Sequence, residues 1–149
     1  MSNLRLLDET NITSSVSTVS VTDVFSSDFN IYKIVTSGLS TAGTSQTDPN
    51  FRFISIGGVA ISSTNYDYAH TIARSGSVTD QRSTNQAQFY RAFAEGIDQE
   101  PESQGSVMYV FNPFLSTYSY VTYHSECAAA SLFLMIKGGG TFKNKTVCS

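Results

Sequence analysis

Residues 51–74 constrain the fold most, because their pattern is that of short β-strands joined by tight turns. Residues 51–54 are mainly aromatic or β-branched and favour a half-buried pleated surface. Gly57-Gly58 is a hairpin signal, because glycine accepts the positive φ that tight turns require. From residue 66 the chain alternates, and one face of this strand carries Tyr66, Tyr68, His70 and Ile72.

The composition indicates an ordered domain with a lightly charged surface. Charged residues make up 14% of the chain, below the usual value of about 25%, and serine and threonine together supply about a quarter of it. Aromatic residues make up 12%, which argues against disorder. The length of 149 residues predicts one domain over residues 1–149. The net charge of −3 and the scattered basic residues argue against nucleic-acid binding.

Short strands separated by turn residues recur along the chain. Residues 12–21 have strand character with a bulge near Ser17, and residues 28–36 are apolar on both faces, which predicts a central strand. Further strands are expected at residues 4–7, 107–111, 117–125, 127–136 (the most buried) and 141–148. Polar loops are expected at residues 37–50 and 75–85, and a turn at Gly138-Gly139-Gly140.

About eight such strands predict an all-β fold, a single-domain antiparallel β-sandwich of jelly-roll-like type. Residues 84–97 are ambiguous, because their apolar side chains follow helical spacing but the span is short for a stable helix. A short helix near residues 84–95 and a structured loop both stay open.

No constellation of residues predicts catalysis or metal binding. His124 and Glu126 would share one face of a strand while Cys127 points to the other, so they do not supply the three or four ligands that zinc requires. The acidic residues between positions 98 and 102 lie in a flexible stretch that lacks the walls of a glycosidase cleft. We therefore expect no enzymatic activity, no cofactor and no metal.

The cysteines and the apolar runs indicate where the protein is made. Cys127 and Cys148 are too few for a disulfide framework, and two buried thiols in a reducing cytosol are favoured over a bridge. The longest apolar run, residues 128–136, is about half of the roughly 18 residues that cross a bilayer. The opening residues lack the apolar region of a signal peptide. We expect no membrane insertion.

Tyrosine is the remaining candidate for recognition. Tyr118, Tyr120 and Tyr123 lie on the predicted alternating strand at residues 117–125, with Tyr118 and Tyr120 on one face and Tyr123 on the other. Tyrosine offers contact area and one hydroxyl at low entropic cost. These three residues are the candidate contacts for a partner or receptor. Aromatic cross-strand pairing and a subunit interface use the same residue type, so all three roles stay open at this point.

Several stretches resemble small virion proteins of marine tailed bacteriophages. They are NYDYA at residues 65–69, YVFNPF at residues 109–114 and GGGTFKNKTVCS at residues 138–149. The opening, NLRLLDETNITSSVSTVSVTDVFSSDFNIYKIV, is similar to the start of the same group. The resemblance covers nearly the whole chain and carries over no active-site residue.

The resemblance implies a non-enzymatic virion component with a jelly-roll-like sandwich, attached to the capsid or tail as an appendage, fibre or decoration protein. It implies a homo-oligomer, with a trimer favoured, that contacts other virion proteins and is located in the virion after synthesis in the host cytoplasm. A receptor- or carbohydrate-binding module at a fibre tip is the alternative. Chains of this group continue into a further hairpin, so either this member is shorter or a neighbouring subunit completes its last sheet position.

Overall fold

The computed structural model describes residues 4–40, 46–97, 104–129 and 132–149. Its six strands are β1 (Ile31–Leu39), β2 (Tyr66–Arg74), β3 (Ser77–Gln86), β4 (Gln104–Phe111), β5 (Ser119–Ala129) and β6 (Leu132–Phe142). They form one sheet in the order β1-β4-β5-β6-β2-β3, and every neighbouring pair is antiparallel. The predicted all-β antiparallel class is confirmed.

One face of the sheet is covered by irregular segments, so the second layer is built mainly of loops. Most of this layer consists of residues 46–65, 87–97 and 143–149, whose core residues pack with those of the sheet, and Phe25 also contributes to it. Isolated bridges join them: Thr47 with Ile97, Phe51 with Phe89, Ile54 with Ala60, and Ser55 with Cys148. This strand order does not confirm the jelly-roll topology, which stays a prediction.

Four aromatic rings join the sheet to this covering layer. The ring centroid of Tyr66 on β2 lies 4.8 Å from that of Phe142 on β6 and 5.0 Å from that of Phe89. Phe53 lies 4.9 Å from Phe142, and all four side chains are buried. The Tyr66 hydroxyl donates to the backbone oxygen of Ile61 at 2.8 Å and accepts from the Phe53 amide at 3.2 Å. Contacts between aromatic rings therefore hold the covering layer against the sheet at the centre of the core.

The prediction of a turn at Gly138-Gly139-Gly140 is wrong, because the three glycines lie inside β6. A Cβ atom at Gly138 would lie 2.3 Å from the Cβ of His70, and one at Gly140 would lie 2.5 Å from a ring carbon of Phe89. Neighbouring strands and side chains occupy the space that a side chain would need. The glycines serve close packing here, the other reason for glycine in a strand.

Gly138 also allows side chains of β2 and β5 to form a hydrogen bond across β6. Tyr123 on β5 and His70 on β2 are the register partners of Gly138 on either side. With no side chain between them, the Tyr123 hydroxyl reaches Nδ1 of His70 at 2.9 Å. The missing side chain thus permits a hydrogen bond between strands that are not neighbours.

Two connecting segments differ from their predictions. Residues 75–85, predicted to be a loop, contribute most of β3, because a polar sequence suits an edge strand that is largely exposed. The predicted single strand at residues 127–136 is wrong, since β5 continues to Ala129 and β6 begins at Leu132. These two strands pair with each other as a hairpin.

The short helix near residues 84–95 is also wrong, and the alternative of a structured loop is correct. Residues 84–86 complete β3, and residues 87–97 form turns, bends and isolated bridges. Asn85, Arg91 and Gly96 have positive φ angles of 56°, 54° and 62°. A right-handed helix cannot accommodate these angles.

The N-terminal third differs most. The predicted strand at residues 28–36 exists as β1, but it lies at an edge of the sheet and is not central. The predicted strands at residues 4–7 and 12–21 are absent from the described structure, where residues 4–20 are exposed and have no regular secondary structure. The strand at residues 107–111 and the alternating faces of residues 66–73 and 117–125 are confirmed.

A methyl group added on β6 tests the close packing. We expect Gly138→Ala to lower the free energy of unfolding by about 3 kcal/mol, because overpacking forces the backbone of β2 to move. Gly105→Ala on β4 is the matched control: its Cβ atom meets nothing within 4 Å, and we expect a change within about 0.5 kcal/mol. Urea unfolding followed by circular dichroism measures both, and equal losses would contradict the packing role of Gly138.

Candidate functional site

The face of the sheet away from the covering layer carries an apolar patch at its β1 end. Side chains of β1, β4 and β5 that alternate with the core residues point to this open face. The open patch consists of Ile31, Val35, Val107, Tyr109, Phe111 and Tyr120, of which Val107 and Phe111 are half-buried and the others exposed. Register places Ile31 beside Phe111, and Phe111 beside Tyr120. The patch is therefore continuous across three strands.

The two edges of the sheet differ in chemistry. The edge strand β3 has the sequence SVTDQRSTNQ, whose charges and polar side chains oppose pairing with another strand. The other edge strand, β1, has the sequence IYKIVTSGL, with Lys33 as its single charged residue. Among the described residues no backbone hydrogen bond joins the outer side of β1 to another segment. β1 is thus an apolar edge with backbone groups available for pairing.

Residues 4–20, which we call the N-terminal arm, carry a second set of exposed apolar side chains. All residues of the arm are exposed, and Leu4 reaches 79% of its maximal accessible area. The large apolar members are Leu4, Leu6, Leu7, Ile12, Val16 and Val19. No backbone hydrogen bond outside the regular elements involves the arm in the described part of the chain. The arm therefore exposes six large apolar side chains to water.

The three tyrosines named from the sequence divide between the two faces. Tyr118 and Tyr120 are exposed, with Tyr120 at 47%, whereas Tyr123 is 3% exposed and points to the core. Tyr123 therefore does not belong to the same surface as Tyr120. Tyr109 joins Tyr120 on the open patch. A contact role for Tyr118 and Tyr120 stays a prediction.

A buried ionic cluster holds residues 87–97 against the sheet. Glu95, 7% exposed, accepts from Arg74 of β2 at 2.6 Å and forms a second ion pair with Arg91. Asp48 accepts from Arg91 Nε at 3.1 Å and from the Tyr90 hydroxyl. Sequence reasoning missed this cluster. The available signal was Glu95 itself, an isolated carboxylate among small apolar residues in a lightly charged chain.

The electrostatics of the cluster favour its ionised form. Burial raises the pKa of Asp48, but the hydrogen bonds from Tyr90, the Gly96 amide and Arg91 together lower it by more. The pKa of Asp48 therefore lies below the ordinary value of 3.8. The pKa of Arg91 is raised, because burial, which lowers it, is outweighed by Asp48 and Glu95. The charges are mutually compensated, which is the condition for keeping them in a poorly solvated place.

His70 lies in the same region and has both ring nitrogens occupied. Nδ1 contacts the Tyr123 hydroxyl at 2.9 Å, and Nε2 lies 3.2 Å from the side-chain oxygen of Gln81. With that oxygen as acceptor, Nε2 carries the proton and Nδ1 accepts from tyrosine. Burial lowers the pKa of His70, with a smaller opposing effect of Gln81. The ring is a neutral structural bridge between β5, β2 and β3.

This cluster offers little to a substrate. Each nitrogen of His70 and each carboxylate described above already bonds to another protein group. The grooves beside it, lined by β2, β3 and β6, are shallow and open to solvent. A general base needs a free position that a substrate proton can reach. The geometry therefore supports a structural role for the cluster.

The structure does not bring His124, Glu126 and Cys127 together as metal ligands. His124 Nε2 lies 3.5 Å from a carboxylate oxygen of Glu126 on the exposed face, while Cys127 lies on the opposite, buried face. Within the described ranges no group of three histidine, cysteine, aspartate or glutamate side chains is suitably placed for a metal ion. The acidic residues between positions 98 and 102 lie outside the described residues.

The two thiols lie in the interior of the protein. Cys127 and Cys148 are both buried, and each donates a hydrogen bond to a backbone oxygen, at Glu95 and Thr146 respectively. Burial raises the pKa of Cys148 to about 12. In the portion of the chain that the structure describes, no helix has the length and apolarity to cross a bilayer.

Comparison with known proteins does not name a relative. No protein-family model, no curated protein and no solved structure matches the chain.

Loss of one carboxylate charge tests the ionic cluster. We expect Glu95→Gln to lower the free energy of unfolding by about 2–3 kcal/mol, because it leaves two arginines with a single counter-charge in a poorly solvated place. The control is Glu126→Gln, whose side chain is 58% exposed beside His124; we expect a change within about 0.5 kcal/mol. Chemical unfolding at pH 7 gives both values, and a neutral Glu95→Gln would refute the role of the cluster.

The burial of His70 predicts a pH dependence of stability. The pKa of His70 in the folded chain is below the ordinary value of 6.5. The contribution of His70 to the free energy of unfolding is therefore complete above pH 6.5 and declines as the pH falls below that value. We expect His70→Gln to flatten the decrease of the unfolding midpoint as the pH falls below about 6.5. The chain has two histidines, and His124→Gln should keep the wild-type slope. If both variants kept that slope, His70 would not be its source.

Proposed function

We propose that the chain is a non-enzymatic structural component of a tailed-phage virion that acts through homo-oligomeric assembly. In this proposal it is attached to the capsid or the tail as an appendage, fibre or decoration protein, with three copies favoured. The observation that carries it is the presence of two unpartnered apolar surfaces on one small chain, the N-terminal arm and the β1 edge with its open patch.

An unprotected apolar edge strand suits a chain that assembles with a neighbour. A monomer in water gains nothing from a long apolar edge strand, which invites uncontrolled pairing, and natural proteins normally protect such edges. Here β3 is protected by charge and β1 is not. The asymmetry suits a chain whose β1 side is covered by a specific neighbour. The phage assignment itself rests on the resemblance of residues 65–69, 109–114 and 138–149 to virion proteins of that group.

A second function is favoured by the exposed aromatic side chains. Tyr109 and Tyr120 stand on adjacent strands of the open patch, and Tyr118 is exposed just before β5. Aromatic faces of this kind bind sugar rings through apolar contact and hydroxyl hydrogen bonds. The alternative proposal is therefore a carbohydrate- or receptor-binding module at a fibre tip.

The two proposals differ in what substitution of tyrosine does. We expect the protein to be found by peptide mapping in purified particles and to sediment as a stable oligomer in isolation. For a structural component, Tyr120→Ala weakens the oligomer, whereas for a glycan-binding module it removes signal from a glycan array and leaves the oligomer intact. Absence from every particle fraction together with a monomeric state would end the first proposal.

A further inference from the structure

We infer that the N-terminal arm of one copy pairs as an added β-strand with the outer edge of β1 in a neighbouring copy. The inference rests on the proposed homo-oligomeric function and names the contact that builds the oligomer. Three observations on different parts of the chain support it: the sequence of the arm, the state of the β1 edge, and the anchoring of residues 24–29.

The arm has the sequence of a strand but no partner within the described chain. Residues 12–21, ITSSVSTVSV, contain three valines, two threonines and one isoleucine, which favour pleated sheet, beside four serines. A strand is stable only beside another strand, since its backbone groups bond to a neighbouring strand and not within their own segment. The arm is therefore a strand-forming sequence whose pairing partner lies elsewhere.

The β1 edge has the length and the chemistry to accept this segment. β1 has nine residues, close to the length of the strand-like part of the arm. Val35, 60% exposed, and Ile31 offer apolar contact on the open face beside the edge. The length and the apolarity of the two segments therefore agree.

The link between the arm and β1 is anchored on the covered side of the sheet. Phe25 is buried, and its ring centroid lies 4.7 Å from that of Tyr32. The Ser26 amide donates to the Tyr32 hydroxyl at 2.8 Å, and that hydroxyl donates back to the Ser26 oxygen at 2.9 Å. Tyr32 faces the covered side of the sheet, so the arm leaves from that side. Seventeen extended residues reach at most about 60 Å, roughly twice the length of β1, so the arm can reach another copy.

Such a contact is heterologous, because the arm of one copy meets the edge of the next. A head-to-tail contact closes into a ring when its rotation allows, which is compatible with the favoured trimer. Pairing supplies backbone hydrogen bonds, and the apolar side chains of arm and edge supply burial. Each arm also protects the edge of its neighbour.

Crosslinking between single-cysteine variants tests the contact. Val16→Cys and Val35→Cys subunits are mixed, treated with a short bis-maleimide and analysed for dimers on a denaturing gel. We expect a crosslinked dimer from this mixture and none from Val16→Cys mixed with Val78→Cys, whose site is equally exposed but lies on the polar edge β3. Wild-type protein is the blank, because Cys127 and Cys148 are buried. A crosslink only when both cysteines occupy one chain would overturn the exchange between copies.

Charge substitutions in the arm give a second measurement. We expect Ile12→Asp combined with Val16→Asp to raise the dissociation constant of the oligomer at least about tenfold, since each lost apolar contact weakens association. Thr13→Asp with Ser17→Asp adds the same charge and should change it much less. All four sites are exposed in the isolated chain, so neither pair should alter its folding.

The outcomes separate the two proposals. A wild-type oligomer that resists Ile12→Asp with Val16→Asp overturns the arm contact and leaves the assembly function standing. A wild-type protein that sediments as a monomer and yields no crosslink overturns the homo-oligomeric function, and the arm contact with it. A crosslink to Val35 with weakened assembly in the apolar pair alone supports the inference.

Discussion

The fold depends on the close approach of aromatic and histidine side chains to the glycine backbone of β6. Phe89 occupies the place of a side chain at Gly140, and β2 presses against β6 where Gly138 has none. Through these contacts the irregular segment that carries Phe89 reaches the sheet and meets Tyr66 and Phe142. Because the covering layer has only isolated bridges of its own, this contact substitutes for the side-by-side strands that a second sheet would provide. The ionic cluster at Glu95 adds a second attachment of the same segment.

One consequence is that the buried histidine and the ionic cluster are committed to the fold. His70 bonds to Tyr123 and to Gln81 and so links three strands, and Asp48 and Glu95 form ion pairs with the arginines. Titratable groups with displaced pKa values often mark active sites, but ion-pair networks that stabilise structure displace them as well. Here the lack of a reachable free atom favours the second explanation. The features without a partner lie outside the core, on the arm and on β1.

The sequence allowed the strands with regular alternation to be predicted, because burial of one face imposes a period of two. Residues 66–73 and 117–125 were predicted with the correct faces. The failures have a common physical origin: a local pattern does not reveal its neighbour. Gly138 to Gly140 resemble a turn, since glycine serves both turns and close packing. Residues 75–85 resemble a loop, since an exposed edge strand has no apolar face to bury. In the ionic cluster Asp48 pairs with Arg91 across more than forty positions, a separation at which no spacing rule applies.

The two errors in the N-terminal third are informative when they are considered together. Residues 28–36 were predicted to be a central strand, because both faces are apolar. Residues 12–21 were also predicted to be a strand. In one isolated copy the first lies at an edge and the second is unpaired. A helix forms its hydrogen bonds within its own segment, so a helical pattern can be satisfied locally, whereas a strand pattern can be satisfied only by a second strand. When a strand-forming segment lacks a neighbour and an apolar edge lacks one too, the simplest physical resolution is that they satisfy each other between copies. Both sequence patterns are then consistent with an assembled state in which β1 is interior.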